Sequence, residues 1–370
     1  MPAKRTGRVL SLRALSRATL ARQFLAGRSP MLALEVIRHL AGLQSQVPDP
    51  PYIGLGSRMA AFHPSELEQL LIERTAVRLA VMRSTIHLVT ADDCLPLRAA
   101  VQPAIERGFQ SSHGKFLEGV DRRQLERLTR NLLEDGPKTL NDIGRRLEEH
   151  FPGREATYLA AAARTEVPLV QLPPRGLWRT AGVSLHTPAD VWLDRQNVDD
   201  ANLDSLVRRY LVAYGPASVK DIQTWSGLTR LNGIVNGMRD RLVTYQDETG
   251  RELFDLPDQP LPDPDMPAPV RFLPGWDNAL LSYASQARIL PPEYKPRIFT
   301  KNGIVRASLL VDGYVAGIWM ASCAGSSATM SIETFRPLDR PAKKAATAEG
   351  IQLLAILQPK ASVHDVVFSQ

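Results

Sequence analysis

Two copies of one short motif stand in the chain: Gly136-Pro137-Lys138-Thr139-Leu140-Asn141-Asp142-Ile143 and Gly215-Pro216-Ala217-Ser218-Val219-Lys220-Asp221-Ile222. They begin 79 residues apart, and self-similarity at a fixed distance exposes the unit from which a chain is built. Gly-Pro ends a preceding helix, Thr139 or Ser218 caps the next one, and the Asp three residues later completes a start that resembles a capping box. Each copy therefore predicts a junction between two helices.

The residues around the first junction predict three helices and a hairpin. A leucine-rich helix precedes the junction, a second helix runs to about His150, and an Ala-rich third helix ends at Glu166. A strand over residues 169–172 leads into the turn Pro173-Pro174-Arg175-Gly176-Leu177-Trp178-Arg179. Helices followed by a hairpin with basic residues at its tip, here Arg175 and Arg179, are typical of a winged-helix DNA-binding unit.

The rest of the N-terminal 256 residues has a similar order of elements. Around the second junction we predict helices over residues 203–214, after Ser218 and over 231–238, then strands over 242–246 and 253–256. Before the first junction, helices at about residues 11–26, 30–43 and 65–73 precede a hairpin that turns at Arg83-Ser84. This first part lacks Gly-Pro, so its interpretation as a winged-helix unit is inferred from order alone.

The composition changes abruptly after Leu256. Residues 257–265 are rich in Pro and Asp and exclude regular structure, which indicates a linker. Beyond it, Asp312-Gly313 between two apolar runs predicts a tight hairpin, and a final helix is predicted over residues 341–357. We therefore predict an α+β fold: tandem winged-helix units (helix-turn-helix plus β-wing), then a small C-terminal β-sheet or barrel domain with a terminal helix.

The predicted domain boundaries follow from these breaks. They are a first winged-helix unit over residues 1–118, a second over 119–200, a third over 201–256, the Pro/Asp-rich linker over 257–269, and the C-terminal β domain over 270–370.

Charge and cysteine content narrow the function classes. The two cysteines, Cys94 and Cys323, are far apart with no clustered histidines, so neither a disulfide framework nor a zinc or iron–sulfur site is indicated, and we expect no metal and no cofactor. Arginines interrupt the N-terminal apolar residues, so we expect no signal peptide or membrane span and a soluble cytoplasmic protein.

Basic residues are concentrated at the N-terminus. The net charge is +6, and eight basic residues stand against one acid in the first 40. The basic residues are Lys4, Arg5, Arg8, Arg13, Arg17, Arg22, Arg28 and Arg38. This segment favours binding to a polyanion; the alternative is a solvated helical face that keeps the protein soluble. Charge alone leaves both open, and we retain Arg38 as a candidate DNA contact.

Gln44-Ser45-Gln46 is the segment with the strongest indication of chemistry. It runs into Pro48-Asp49-Pro50-Pro51, which predicts extended backbone with no further helix, and in extended backbone alternate side chains share a face. Both carboxamides could then line one cleft and hold a water, a base edge or a sugar oxygen without charge. The alternative is that they cap the helix end and brace the proline turn.

Several segments resemble the AlkZ/YcaQ family of winged-helix DNA glycosylases. They are Leu12 to Gln23, Leu40-Ala41-Gly42-Leu43-Gln44-Ser45-Gln46 with Pro51-Tyr52-Ile53-Gly54-Leu55, Arg83-Ser84-Thr85-Ile86-His87-Leu88-Val89, Leu273-Pro274-Gly275-Trp276-Asp277 and residues 311–319. The resemblance spans most of the chain. It implies a C-shaped body of tandem winged helices around DNA and a catalytic Gln-x-Gln triplet, which corresponds here to Gln44 and Gln46. The middle residue of the triplet is usually aliphatic in the family, whereas this chain has Ser45.

The resemblance also implies a substrate class. A purine alkylated at N7 is already cationic and leaves with little help from an acid, so neutral glutamines that hold the deoxyribose and a water are sufficient. The expected partner is double-stranded DNA with alkylated purines or interstrand crosslinks, which a monomer would bind in an open cleft. General repair and resistance to a DNA-alkylating agent are both open as the role of such an enzyme.

Residues 295–306 form a second candidate, which we interpret as a β-hairpin that turns at Asn302-Gly303. Glycosylases of this type use a hairpin near the lesion, so we expect DNA contacts from Lys295, Arg297, Lys301 and Arg306, and from Arg175 and Arg179 of the earlier turn.

His87, Trp225, Trp276 and Trp319 are expected in the core. A winged-helix transcription regulator is the main alternative function and an interaction scaffold the third, although no coiled coil or dimerising helix is evident.

Overall fold

The computed structural model describes residues 5–198 and 201–369. Its helices are α1 Leu12–Arg22, α2 Ala33–His39, α3 Pro50–Arg58, α4 Pro64–Ile72, α5 Ala91–His113, α6 Arg122–Glu134, α7 Leu140–Glu148, α8 Ala156–Glu166, α9 Ala189–Leu193, α10 Leu203–Tyr214, α11 Val219–Ser226, α12 Asn232–Gly237, α13 Asn278–Leu281, α14 Lys295–Ile298 and α15 Arg340–Leu357. Its strands are β1 Arg5–Leu10, β2 Leu43–Gln44, β3 Ala76–Ala80, β4 Ile86–Thr90, β5 Lys138–Thr139, β6 Leu169–Gln171, β7 Leu185–Pro188, β8 Val243–Asp247, β9 Glu252–Asp255, β10 Arg271–Leu273, β11 Ser308–Val311, β12 Tyr314–Ala324, β13 Ser327–Thr334 and β14 Val363–Ser369.

Both copies of the repeated motif begin a helix, as the sequence predicts. At α11 the Ser218 hydroxyl accepts from the Asp221 N–H at 3.3 Å, and the Asp221 carboxylate accepts from the Ser218 N–H at 2.9 Å, which completes a capping box. At α7 the Thr139 hydroxyl accepts from the Asp142 N–H at 3.1 Å. The order of helices and strands around each junction agrees with the prediction, and the fold is a mixture of helices and several sheets.

Three sheets connect parts of the chain that are far apart in sequence. The six-stranded sheet has the order β2-β4-β3-β6-β7-β5, in which Leu79 of β3 pairs with Val170 of β6. The N-terminal strand β1 lies parallel to β8, with Leu10 opposite Asp247, in the sheet β1-β8-β9. The predicted units are therefore joined by shared sheets, which a linear division of the sequence does not reveal.

The segment between α2 and α3 differs from the prediction. The helix expected to reach residue 43 ends at His39, because Ala41 and Gly42 have left-handed backbone with φ of 53° and 97°. A Cβ on Gly42 would lie 2.8 Å from Val89, so only glycine fits there. The prediction that the prolines forbid helix was wrong: α3 starts at Pro50, since the first helical turn needs no N–H donors.

The C-terminal domain is an open sheet with the order β10-β11-β12-β13-β14, and not a barrel. Asp312-Gly313 forms the predicted turn between β11 and β12, with φ of 49° and 82°. Helix α15 packs on the sheet in an apolar cluster with Phe272, Trp319 and Leu353. Residues 257–269 contain no regular element. No helix of the described part of the chain is long and apolar enough to cross a lipid bilayer.

Most of the N-terminal arginines that form ion pairs in the structure hold parts of the chain together. The two interpretations of this segment, a surface for a polyanion and a solvated helical face, do not describe these residues. Arg22 is buried on α1 and binds both carboxylate oxygens of Asp255 at 2.9 and 2.6 Å. Arg17 is also buried and pairs with Asp312 at 2.5 Å. Arg28 pairs with Glu349 at 2.7 Å. Lys4 lies outside the described residues.

A second buried pair connects α3 to the C-terminal domain. The Arg58 guanidinium donates to both oxygens of Asp277 at 2.9 and 2.7 Å, and both side chains are almost completely buried. A charge that loses its partner in such a place is not solvated. We predict that Arg58→Met or Asp277→Asn lowers the free energy of unfolding by about 3–5 kcal/mol, as measured by urea denaturation.

The exposed pair between Arg241 and Asp204, at 2.5 Å with side chains 54% and 43% exposed, is the matched control. Asp204→Asn should change stability by less than about 1 kcal/mol, because water already solvates both charges. A loss in the Asp277 variant that is no larger than this would contradict the assigned role of the buried pair.

Candidate active site

Gln44 lies on β2, with its side chain held by the β3–β4 turn. The strand register places it opposite His87 of β4. Its Oε1 accepts a hydrogen bond from Nη2 of Arg83 at 2.8 Å, and the residue is only 8% exposed. The extended backbone predicted for this residue is present, and the carboxamide has a single orientation defined by Arg83.

Gln46 is exposed, and its side chain reaches the same β-hairpin. Its Oε1 accepts from the backbone N–H of Ile86 at 3.0 Å, while the N–H of Ser45 donates to the Ile86 carbonyl at 2.7 Å. The two glutamines thus share the Arg83–Ile86 side of the segment. The alternative that they cap α2 is wrong, since backbone groups of residues 40–42 close that helix end.

Ser45, between the two glutamines, points to a buried arginine. The Arg78 Nε donates to the Ser45 hydroxyl at 2.9 Å and its Nη2 to the Ser45 carbonyl at 2.8 Å. Arg78 is 2% exposed, and burial followed by the charge of Arg175 lowers its pKa to about 10. In place of the aliphatic residue that the resemblance implies, this chain therefore has a polar contact that fixes the middle of the triplet.

A cation and a neutral histidine lie directly behind Gln44. Burial lowers the pKa of Arg83 to about 10, which leaves it charged at neutral pH. His87 is fully buried, and burial followed by the charge of Arg83 lowers its pKa to about 3. Its Nδ1 donates to the Thr85 carbonyl at 3.0 Å, so its Nε2 is the acceptor that faces Arg83 at 3.5 Å. His87 is a hydrogen-bonded core residue, as expected from the sequence.

The turn that carries Arg175 and Arg179 packs behind the triplet. The Tyr52 hydroxyl donates to the Gly176 carbonyl at 2.8 Å, and a Cβ on Gly176 would lie 2.8 Å from Cδ of Arg78. Burial raises the pKa of Asp49, and the nearby charges of Arg179 and Arg175 oppose that shift. The tertiary structure thus brings these two arginines close to the segment that follows Gln46.

The loop before α13 brings the C-terminal domain to the same place. Asn278 Nδ2 donates to the Gly42 carbonyl at 3.1 Å, two residues before Gln44. Trp276, expected in the core, is only half-buried, and its Nε1 donates to the Gly303 carbonyl at 3.3 Å. Trp225 and Trp319 are buried as expected. The turn at Gly303 is therefore tied to the loop that contacts the triplet strand.

Residues 295–306 are only partly a hairpin. Lys295 and Arg297 lie on the short helix α14, because Pro296 in its first turn needs no N–H donor, so the strand prediction for them was wrong. Beyond it a tight turn does form, with the Thr300 N–H donating to the Ile304 carbonyl at 2.9 Å and Phe299 bridged to Val305.

The predicted DNA-contacting cations differ in their partners. Arg38 pairs with Asp92, which also binds Arg195 at 2.8 Å, and Arg297 pairs with Glu333 at 2.5 Å. Lys301 and Arg306 are exposed and make no ion pair with a described residue. The structure therefore leaves Lys301 and Arg306 more available to a polyanion than Arg38 and Arg297.

Sequence reasoning missed the two arginines that hold the triplet. Arg78 occupies an alternating strand in which a charged residue is expected to be exposed, and Arg83 stands at a turn. The signals in the sequence were that Arg83 begins the quoted motif Arg83-Ser84-Thr85-Ile86-His87-Leu88-Val89 and that Arg78 lies shortly before it. Among the described residues, no group of three or more His, Cys, Asp or Glu side chains is arranged to hold a metal ion.

Comparison with known proteins assigns the chain to a family. The sequence model of the AlkZ-like DNA glycosylases matches residues 37–356, which include the triplet, both arginines and the α13 loop. The chain belongs to the AlkZ-like DNA glycosylase family. It is an enzyme, a DNA glycosylase, and the family assignment does not support the alternatives of a non-catalytic regulator or scaffold.

Two comparisons agree with this assignment. The chain is 25% identical over 328 residues to the interstrand DNA cross-link repair glycosylase of Streptomyces sahachiroi, a match that covers 80% of this chain and 84% of that protein. The solved structure of the Streptomyces sahachiroi DNA glycosylase AlkZ superposes with a TM-score of 0.79 at 20% identity, covering 98% of this chain and 100% of that one. The glycosylase has the same overall fold.

The buried neutral histidine predicts how stability changes with pH. The folded-state pKa of His87, about 3, lies below its ordinary value of 6.5. Between these two values the unfolded chain binds a proton at this residue and the folded chain does not. Stability should be fully present above the ordinary value and fall by about 1.4 kcal/mol per pH unit below it, until the folded-state pKa is reached. His186, with a pKa lowered by burial to about 4, adds a similar slope.

We predict that His87→Gln removes one of these slopes, as measured by urea unfolding between about pH 6 and about pH 5. The remaining slope reports His186 and other groups. A variant with the same pH dependence as the unsubstituted protein would show that His87 is protonated alike in the folded and unfolded states.

Proposed function

We propose that this glycosylase hydrolyses the N-glycosidic bond of cationic N-alkylated purines of the N7-alkylguanine type, with Gln44 and Gln46 at the reacting nucleotide. The single observation that carries the proposal is the convergence of two neutral carboxamides on the β3–β4 hairpin, where Gln44 is hydrogen-bonded to Arg83 and Gln46 to Ile86. Each oxygen keeps a second lone pair beyond its protein partner, and each nitrogen has two donors, so the pair can hold a water and the sugar.

The substrate class follows from charge. Most glycoside hydrolysis needs an acid for the leaving group, but an N7-alkylated purine already carries a positive charge and leaves as a neutral base. The remaining task is to position water and the deoxyribose where oxocarbenium character develops, which uncharged groups perform. Neutral His87 and buried Arg83 lie behind Gln44, and neither is placed to donate a proton to a departing base at neutral pH.

The relative named for interstrand cross-link repair supports a further proposal, that this chain also unhooks crosslinks. A crosslinked base cannot be flipped freely into an enclosed pocket, so the site must be open. Gln46 is exposed, which agrees with an open site. We also propose a role in resistance to a DNA-alkylating agent to which the cell is exposed.

The proposed DNA-binding surface is formed by the domains that were predicted from the sequence. We propose that residues 1–118, 119–200 and 201–256 act as winged-helix units, that residues 257–269 link them to the β domain, and that the β domain over 270–370 contributes a DNA-contacting turn. The proposed phosphate contacts are Arg38, Arg175, Arg179, Lys295, Arg297, Lys301 and Arg306. Arg38 and Arg297 would have to exchange their present carboxylate partners for phosphates. Action as a monomer stays a prediction.

The first test uses a duplex oligonucleotide that contains one N7-methylguanine. We predict that Gln44→Ala and Gln46→Ala bind this DNA normally but release free base at least about 100-fold more slowly, because groups that order the transition state are lost. Base release and the abasic site are measured under single-turnover conditions, and binding by fluorescence anisotropy.

Gln69→Ala, which alters an exposed glutamine on α4, is the matched control and should release base at the unsubstituted rate. Full release by the Gln44→Ala/Gln46→Ala double variant would remove the proposed catalytic role of the triplet. Binding without release by the unsubstituted protein would exclude N7-methylguanine as a substrate.

The second test concerns the turn at Gly303. If Lys301 neutralises a DNA phosphate, Lys301→Ala should reduce the slope of log binding constant against log salt by about 1, because one counterion fewer is released. Lys360→Ala, an exposed lysine after α15, is the control and should leave the slope unchanged. An unchanged slope in the Lys301 variant would mean that this turn does not contact the DNA backbone.

A further inference from the structure

The carboxamide oxygens of both glutamines are engaged by groups that can only donate. Gln44 Oε1 faces the Arg83 guanidinium, and Gln46 Oε1 faces the Ile86 backbone N–H. A guanidinium and a backbone N–H group can only donate, so the carboxamide oxygen must face them in each case. Neither Nε2 has a described hydrogen-bond partner, and neither is among the fully buried polar atoms without one, so both –NH₂ groups keep their hydrogen-bonding capacity.

Arg83 is itself held rigidly. Its Nη1 donates to the Trp225 carbonyl near the end of α11 at 2.6 Å, while its Nη2 holds Gln44. Its backbone is left-handed, with φ of 56°, as is that of Ser84 with φ of 57°. A Cβ on Gly227, directly after α11, would lie 3.2 Å from the Arg83 Cα. The β3–β4 turn is therefore wedged against the third part of the chain, which sets the direction of the guanidinium.

We propose that Arg83 is a positioning residue that fixes the Gln44 carboxamide with its –NH₂ group toward the DNA, so that Gln44 acts as a hydrogen-bond donor to an acceptor atom of the lesion nucleotide. The inference rests on the proposed placement of Gln44 at the reacting nucleotide, and it adds the polarity of that contact. In this arrangement Gln44 contacts the lesion nucleotide through its –NH₂ group, while its Oε1 faces Arg83.

Substitution with glutamate separates donor from acceptor. Gln44→Glu keeps the size of the side chain and its contact with Arg83 but replaces –NH₂ by an oxygen. A donor role predicts that base release from N7-methylguanine DNA falls as much as in Gln44→Ala, at least about 100-fold, with DNA binding within about 3-fold. A Gln44→Glu enzyme as active as the unsubstituted one, or more active, would overturn the proposal.

Substitution of Arg83 tests positioning. Arg83→Met should slow base release by about 10- to 100-fold with unchanged DNA binding, because the carboxamide can then rotate. Arg83→Lys keeps one donor and should recover part of this loss. In a Gln44→Ala background, Arg83→Met should have less than about a 2-fold further effect, since residues that act through each other are not additive. A full additional loss there would overturn the proposal.

One readout does not depend on catalysis. With ¹⁵N-glutamine labelling, the side-chain amide signal of Gln44, assigned through Gln44→Ala, should be that of an ordered carboxamide and become mobile in Arg83→Met. The melting temperature and the Gln46 signal control for folding. An unchanged Gln44 signal in Arg83→Met overturns the positioning role. If the signal changes but Gln44→Ala releases base at full rate, the positioning stands and the proposed catalytic function of the triplet fails.

Discussion

The buried ion pair between Arg58 and Asp277 is the interaction on which the arrangement of the site depends. It joins α3, which directly follows the triplet segment, to the loop that leads into α13. Once Asp277 is fixed, Asn278 reaches the Gly42 carbonyl and Trp276 reaches the turn at Gly303. Removing two charges from water is costly, and the bidentate contact offsets part of that cost by pairing both Asp277 oxygens with the guanidinium. Together with the Arg17–Asp312 and Arg28–Glu349 pairs, this buried pair holds the C-terminal domain against the N-terminal part of the chain.

The same use of arginine recurs around the triplet. Arg83 holds Gln44 and connects it to α11, while Arg78 holds the middle residue Ser45 and lies against the turn of Gly176. Where the family resemblance implies an aliphatic residue that packs, this chain substitutes a polar contact that is directional. The Arg78 contacts hold the Ser45 hydroxyl and carbonyl, so the middle of the triplet is anchored in this chain without an aliphatic residue.

The local elements were predictable because they depend on neighbours in sequence. The capping residues Thr139 and Ser218 and the Asp312-Gly313 turn are local patterns, and the structure contains each of them. The prediction failed where local rules have exceptions: prolines that start α3, and Pro296 in α14. It failed more seriously for charge, because the N-terminal arginines looked like a solvent-facing or DNA-facing patch, whereas Arg17 and Arg22 are buried in ion pairs with partners over 200 residues away.

The sequence by itself determined the helices and strands around the two repeated junctions and, through a resemblance that family comparison confirms, the class of enzyme. The candidate glutamines also came from that resemblance. The sequence did so because capping, turns and motif residues are encoded locally. Only the tertiary structure decided which way the Gln44 carboxamide faces, that Arg78 and Arg83 hold the triplet, and which cations remain unpaired for DNA. Those properties arise from contacts between residues distant in the chain, and no periodicity or spacing encodes them.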